Sequence, residues 1–300
     1  MDPSPLVVLI TGCSSGIGRA TAAHLAAAGH TVIATARRVD DLAELAAAGC
    51  RTLALDVTDE ASMRAAVEAV EGTHGRIDVL VNNAGYSQSG AVESVPLART
   101  RVQFETNVFG PLRLTQLVLP GMRHRGSGRI VNVSSMGGRL VFPGGGVYHA
   151  SKYALEALSD ALRYELRPFG IAVVLVEPGL IRTKFAATVG TGLSTLAAEA
   201  ASPGDAGTVY AAFNDTVARG TAAAYERGPM ARMAGEPIDV ARVIARAIAA
   251  PRPRARYTVA LSATVFLTLR RWLGDAGWDW FLRSNFAAPK PAARQSARSG

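Results

Sequence analysis

Leu6-Val7-Val8-Leu9-Ile10-Thr11-Gly12-Cys13-Ser14-Ser15-Gly16-Ile17-Gly18 is the stretch that decides how the rest of the chain is read. Residues 6–11 are a short apolar run without alternation, the pattern of a strand buried on both faces of a parallel sheet. The run breaks into a turn with glycines spaced Gly-x3-Gly-x-Gly, then into an alanine-rich helix to about residue 28. A strand, a glycine turn and a helix N-terminus together make a dinucleotide phosphate site. Glycine lets the backbone come close, and free amides with the helix dipole face the pyrophosphate. The spacing differs from the usual Gly-x-Gly-x2-Gly, so the turn needs support from the rest of the chain. Its candidate residues are Gly12, Ser14, Ser15, Gly16, Ile17 and Gly18.

Outward from that turn, strands and helices alternate without a linker. Strands are predicted over 31–36, 51–55, 77–81, 129–133, 171–176 and 256–260. Helices are predicted over 39–48, 59–71 (with Asp59 as a cap), 97–119, 148–167 and 238–249. This order predicts an α/β fold, a doubly wound parallel sheet of the Rossmann type, with ligand loops at the carboxyl ends of the strands. A single domain is expected over 1–286, with a helical extension over about 263–284 and a disordered tail over 287–300.

Those strand ends carry the next candidates. Arg37 and Arg38 lie just past the second strand, where an acidic residue would accept from a ribose 2′-hydroxyl and an arginine accommodates a 2′-phosphate. NADP(H) is therefore favoured over NAD(H). Asp56, followed by Val57, can accept from an adenine amino group. Asn83, Ala84 and Gly85 suggest close backbone approach to a ligand, while Asn82 is assigned to tying neighbouring strands together. Asn107, in the middle of a predicted helix, marks either a local bend or a polar group with a task.

Tyr148 and Lys152 are four residues apart, which puts both on one helix face. Phenol is a poor base at neutral pH, with an ordinary pKa near ~10, and a cation about 4–6 Å away favours the phenolate. The chain has only three lysines, Lys152, Lys184 and Lys290, in an otherwise arginine-based surface. A lysine one turn from a tyrosine is thus a candidate proton-transfer pair, against the alternative of a core tyrosine beside a surface lysine.

Composition narrows the partners. The net charge of +8 over 300 residues is spread out, and the basic stretches 251–256 and 290–298 lack aromatic platforms, so nucleic acid is not expected. Two cysteines, Cys13 and Cys50, can build neither a disulfide framework nor a metal site. A reducing cytoplasm is the expected location. Neither a secretory leader nor a transmembrane segment is expected: residues 1–5 lack a basic region, and the apolar run 257–269 stops at Arg270 and Arg271, short of the ~20 residues a spanning helix needs.

Taken together, residues 11–18, Asp56, 82–85, Asn107, Ser135, Tyr148 with Lys152, and 178–183 resemble the short-chain dehydrogenase/reductase superfamily in its classical form, over about 6–185. The resemblance implies that Ser135, thirteen residues before Tyr148, hydrogen-bonds the reacting oxygen and that Tyr148 is the general acid/base. It further implies that Lys152 lowers the phenol pKa and holds the nicotinamide ribose, and that Asn107 steadies a relaying water. Pro178, Gly179, Ile181 and Thr183 would meet the nicotinamide end of the cofactor. A substrate lid is implied over about 184–230, and the late tryptophans Trp272, Trp278 and Trp280 resemble the longer members related to hydroxysteroid and retinol dehydrogenases.

The expected activity is NADPH-dependent interconversion of a carbonyl and a secondary alcohol on an apolar small molecule: a steroid, fatty, retinoid or polyketide-like compound. The alternatives are a non-catalytic NADP(H)-binding regulator or scaffold, and an epimerase or dehydratase. A homodimer or homotetramer pairing through helices near 98–120 and 148–167 is implied. Val92, Leu140, Val141, Phe142 and Val147 are expected to wall the site, His149 to be structural, and the tryptophan-rich helix to pack on its own protomer.

Overall fold

The computed structural model describes residues 5–199 and 206–286. Its strands are β1 (Val7–Ile10), β2 (Thr31–Ala36), β3 (Arg51–Ala54), β4 (Val79–Asn82), β5 (Gly128–Val133), β6 (Ile171–Pro178) and β7 (Arg256–Val259). They form one parallel sheet in the order β3-β2-β1-β4-β5-β6-β7. The chain direction across the sheet reverses between β1 and β4. A crevice opens there at the carboxyl ends of the strands.

The helices are α1 (Gly16–Ala27), α2 (Ala43–Ala47), α3 (Glu60–His74), α4 (Leu97–Phe104), α5 (Gly110–Arg125), α6 (Gly146–Leu166), α7 (Phe185–Glu199), α8 (Ala206–Val209), α9 (Ala211–Glu226), α10 (Gly228–Arg232), α11 (Pro237–Ala249) and α12 (Leu261–Asn285). Alternate residues of each strand point to opposite faces, which explains the unbroken apolar runs. Val8 and Ile10 pack with Leu25 of α1 and Ile244 of α11 on one face. Val7 and Leu9 pack with Val67 of α3, and Leu114 and Val118 of α5, on the other.

Asp59 caps α3, accepting from the Ala61 amide at 2.9 Å. A second cap was not read from the sequence. Arg129 of β5 is 2% exposed and its guanidinium donates to the Ala247, Ile248 and Ala250 carbonyls at the end of α11. A cation there satisfies orphaned carbonyls and opposes the negative helix end.

Three helical expectations change. The helix expected over 39–48 is a 3-10 turn, Val39–Leu42, followed by α2. The helix expected over 97–119 divides into α4, one π turn over Glu105–Phe109, and α5. The late helix begins at Leu261 and is interrupted at Gly274, whose φ of 59° and ψ of −164° are not helical.

Of the three tryptophans only Trp278 packs inward, stacked on Phe281 at 5.1 Å and donating to the Val141 carbonyl at 3.2 Å. Trp272 and Trp280 are 82% and 68% exposed. The expected tail over 287–300 lies outside the described residues. Among the described residues no helix is long and apolar enough to cross a membrane, and no cluster of His, Cys, Asp and Glu could hold a metal.

Candidate active site

One cleft of about 860 Å³ opens above the carboxyl ends of the strands and runs from the glycine turn to the α7–α10 helices. Gly12 and Gly16 hold φ of 71° and 56°, left-handed values that favour glycine. A Cβ on Gly12 would press on Ala84 Cα at 2.8 Å. Thr11 and Asn83 lock this turn to the end of β4. The Thr11 hydroxyl accepts from the Asn83 and Ala84 amides at 3.0 Å each. The Asn83 amide group donates to the Thr11 and Gly12 carbonyls at 2.8 and 3.1 Å.

Ser15 precedes α1 without a side-chain capping bond, and no acidic residue stands in the first turn. The positive end of α1 is therefore left to a ligand. An uncapped helix end beside a turn in which only glycine fits suits the phosphates of a dinucleotide, which carry charge and need close backbone approach.

Gly12, Ser14, Ser15, Gly16, Ile17, Arg37, Asp56, Val57, Asn83, Ala84 and Gly85 all line the cleft. Arg37 has no ion pair among the described residues, whereas Arg38 points its guanidinium at Asp41 (3.4 Å) and lies outside the lining. Asp56 has Oδ1 occupied by the Thr58 amide and hydroxyl at 2.9 and 2.8 Å. Gly18 also lies behind the lining. A Cβ there would collide with the Gly12 carbonyl and the Asn83 amide, so it serves the close packing of α1 on the turn. Asn82 ties β4 to its neighbours, donating to Asn132 Oδ1 at 2.8 Å and to Thr115 Oγ1 at 3.2 Å.

At the other end of the cleft stand Ser135, Tyr148 and Lys152. Ser135 follows β5 and accepts from the Gly137 amide at 3.0 Å. Lys152 is 6% exposed and donates from Nζ to the Val133 carbonyl at 2.9 Å. Asn107 sits in the π turn and is 1% exposed, behind the cleft wall. It donates to the Tyr86 carbonyl and Ser151 Oγ, each at 3.1 Å, and accepts from the Tyr86 amide at 3.2 Å. Both sequence alternatives for Asn107 therefore hold: the helix deforms there, and the side chain joins the 82–86 loop to α6. A side chain at Gly85 would sit 3.0 Å from Asn107 Oδ1 and 3.7 Å from Lys152 Nζ.

The expected lowering of the phenol by Lys152 is not what these groups do by themselves. Although Tyr148 keeps some surface on the cleft, burial pushes its pKa up to about 12, with a hydrogen bond from Ser135 pulling the other way. Burial pushes Lys152 down to about 8, opposed by the charge of Glu156. Withdrawal from water disfavours both charged forms at once. Near neutral pH the pair is thus a phenol beside an ammonium.

The 178–183 loop places Pro178, Gly179, Ile181 and Thr183 on the cleft. Its support comes from α12, which the sequence did not reveal: Ser262 Oγ accepts from the Leu180 amide at 2.9 Å, and a Cβ on Gly179 would meet Ala263 N at 2.6 Å. Of the five expected wall residues, only Phe142 lines the cleft. Val92 is exposed, Leu140 is wholly buried, Val141 is exposed, and Val147 packs with α7. His149 is structural: Nε2 accepts from the Phe142 amide at 3.1 Å, so Nδ1 carries the proton and donates to the Gly137 carbonyl at 2.9 Å. The α7–α10 side adds Phe185, Val189, Val217, Tyr225 and Met230. Only their low polarity was legible beforehand.

The profile described as short chain dehydrogenase matches residues 6–193. The chain belongs to the short-chain dehydrogenase family. An uncharacterized oxidoreductase of Escherichia coli K12, YbbO, is 38% identical over 92% of this chain and 93% of its own length. A 3-ketodihydrosphingosine reductase of Bacteroides thetaiotaomicron is 43% identical over 60% of this chain and 66% of its own.

Among solved structures, a short-chain dehydrogenase from Streptomyces avermitilis is 37% identical with a TM-score of 0.72, covering 94% of this chain and 99% of that one. Two neighbours were solved with different cofactors. A serine dehydrogenase with NADP+ is 27% identical (TM-score 0.71, 85% and 94% covered), and a short-chain dehydrogenase/reductase from Burkholderia phymatum with NAD is 26% identical (TM-score 0.75, 97% and 100% covered). This family member is an oxidoreductase on a Rossmann-type sheet, with a nicotinamide cofactor.

Proposed function

We propose that this short-chain dehydrogenase is a cytoplasmic, NADPH-dependent reductase of ketones on extended apolar molecules, with Tyr148 as general acid. The observation that carries the reading is the placement of Ser135, Tyr148 and Lys152 on the same cleft as Arg37 and the glycine turn. Bound nicotinamide supplies the hydride. The chain supplies the proton and the orientation. Tyr148, held as a phenol, donates its proton to the substrate oxygen as that oxygen gains charge, and Ser135 donates a hydrogen bond to the same atom. The Lys152 ammonium stabilises the tyrosinate left behind. Arg37, on the cleft and without an ion pair among the described residues, offers its guanidinium to a 2′-phosphate, which supports NADPH over NADH.

Phe142, Phe185, Val189, Val217 and Met230 supply apolar walls to the lid end, which suits a hydrocarbon chain or ring system. The resemblance to a reductase of 3-ketodihydrosphingosine, a long-chain ketone, supports the same class. The test is NADPH oxidation by the purified chain against a panel of long-chain and polycyclic ketones. Tyr148→Phe is expected to lose about 10²–10⁴-fold in kcat while still binding NADPH by fluorescence. Undiminished turnover in that variant would refute the assignment.

A further inference from the structure

One turn beyond Lys152, α6 carries a buried acid that the reaction above leaves unused. Tyr148, Lys152 and Glu156 follow at intervals of four, in a line along α6. Glu156 is 5% exposed, and its Oε2 accepts from Arg256 Nε of β7 at 3.0 Å. That guanidinium also lies 3.2 Å from Glu177 Oε1 of β6 and 2.7 Å from Asp160 Oδ2 of α6. Glu177 is wholly buried and pairs with Arg139 at 3.4 Å, and Asp160 pairs as well with Arg163.

Among the described residues Glu156 Oε1 and Ser134 Oγ meet no close hydrogen-bond partner, yet Ser134 is near enough to pull the Glu156 carboxyl down. Both residues crowd Gly138, where a Cβ would meet Ser134 Oγ at 2.8 Å and Glu156 Cγ at 2.9 Å. On the cleft side, Lys152 has the complementary deficit. Its Nζ is held by a neutral carbonyl, and it forms no ion pair among the described residues. A buried carboxylate held by the Arg256 guanidinium and a buried ammonium without an ion pair among the described residues thus sit one helical turn apart.

We propose that Glu156 is a positioning residue that keeps Lys152 protonated, its carboxylate held by Arg256 supplying the negative charge on which the Lys152 ammonium depends. The proposal rests on the reading of Lys152 as the cation beside Tyr148. Burial works against the ammonium, and the charge of Glu156 opposes that effect. Facing Glu156 are Lys152 and Asp160 on its own helix, Glu177 from β6, Arg256 from β7, and Arg139 with Ser134 from the segment after β5. Burial pushes Glu156 up on balance, with Ser134, Arg256 and Arg139 pulling the other way; burial and the charge of Glu156 push Glu177 up, against Arg139 and Arg256. Loss of the Glu156 charge leaves Lys152 with burial alone, so its proton is lost at lower pH. A purely structural anchor would change stability and leave Lys152 as it was.

With three lysines in the chain, lysine carbon-13-labelled at Cε gives a signal for each, and Lys152→Arg identifies that of Lys152. In Glu156→Gln the Lys152 midpoint is expected to fall by about one pH unit while Lys184 stays in place. Glu156→Asp, which keeps the charge, should retain most of the original midpoint. An unmoved Lys152 in Glu156→Gln, or an equal fall in Glu156→Asp, overturns the proposal.

If Glu156→Gln does not fold, the unaltered chain decides. Its Lys152 signal must show a second, acid-side inflection as the buried carboxylate takes up a proton, and a single inflection overturns the proposal. Kinetics keep the two readings apart. Ketone reduction lost in Tyr148→Phe supports the parent assignment, whereas an alkaline limb of kcat/KM displaced to lower pH in Glu156→Gln supports the role of Glu156. An unaltered chain without turnover counts against the parent assignment alone, because the lysine titration needs no substrate or cofactor.

Discussion

On the sheet side of the cleft, Thr11, Asn83 and Asn107 direct their polar groups into the neighbouring backbone. On the α7–α10 side, Val189, Leu193 and Leu196 of α7 reach Val95 and Val147 through apolar contact. Polar ties cross that second boundary among the described residues too: Asn214 accepts from the Ala91 amide at 2.9 Å and donates to Ser94 Oγ at 3.4 Å, the Tyr210 hydroxyl donates to Glu93 at 2.9 Å, and Arg99 pairs with Glu199. Hydrogen bonds are directional, so the first wall fixes atoms to within tenths of an ångström. Apolar contact is not, so the second wall can repack around different substrates. The glycines repeat the contrast. Gly18 has no room for a methyl group, while Gly190 and Gly192 in α7 have open space around the Cβ position.

Gly18→Ala should break the first wall outright. Overpacking against two backbone-linked groups is expected to cost about 3 kcal/mol, read as a lower Tm and a loss of NADPH binding. Tolerance of that substitution would erase the contrast. Next in size is Arg37→Asp, which removes a charged hydrogen-bond donor and adds a repelling charge. NADPH should weaken by about 10–100-fold, corresponding to ~1.5–3 kcal/mol, with NADH little changed. Equal losses for both cofactors would dissociate Arg37 from the 2′-phosphate.

The pH dependence sharpens the comparison at the chemical end. Tyr148 near 12 and Lys152 near 8 predict ketone reduction that is flat through neutral pH and declines above about pH 8 as the ammonium is lost. Alcohol oxidation needs the rare tyrosinate, so its rate should rise about tenfold per pH unit on the acid side of that limit. Parallel profiles in the two directions would contradict the assignment. The smallest effect belongs to α7. Gly192→Ala should strengthen α7 by about 0.5–1 kcal/mol, raising that helix's protection in hydrogen exchange and leaving cofactor affinity unchanged. A fall in NADPH affinity there would mean that the walls are coupled.

Much of the sheet was legible because each strand is covered on both faces and reads as an unbroken apolar run. The strand over 31–36 falls on the predicted residues, and the others shift at an end by one or two. The Tyr148–Lys152 pair was legible for a similar reason, since a spacing of four has one meaning on a helix. The π turn at Asn107 was legible only as a conflict between a polar residue and a helix interior. Its resolution depends on Tyr86 and Ser151, which lie 21 and 44 residues away in sequence. Val92 and Val141 were assigned to the cleft wall on polarity alone, and loops offer no periodicity that tells inward from outward. Ser262, which holds the 178–183 loop, lies 82 residues from the amide it accepts from, and no local pattern announces it.

By itself the amino-acid sequence determined the layered sheet, the glycine turn at its first crossover and the helix face shared by Tyr148 and Lys152. These follow from local periodicity and from the one residue type that has no Cβ. Tertiary structure alone decided the charge carried by that pair and the shape of the space beside it. Both depend on water being displaced by distant segments, by the α7–α10 helices on one side and by the Glu156–Arg256–Glu177 cluster on the other.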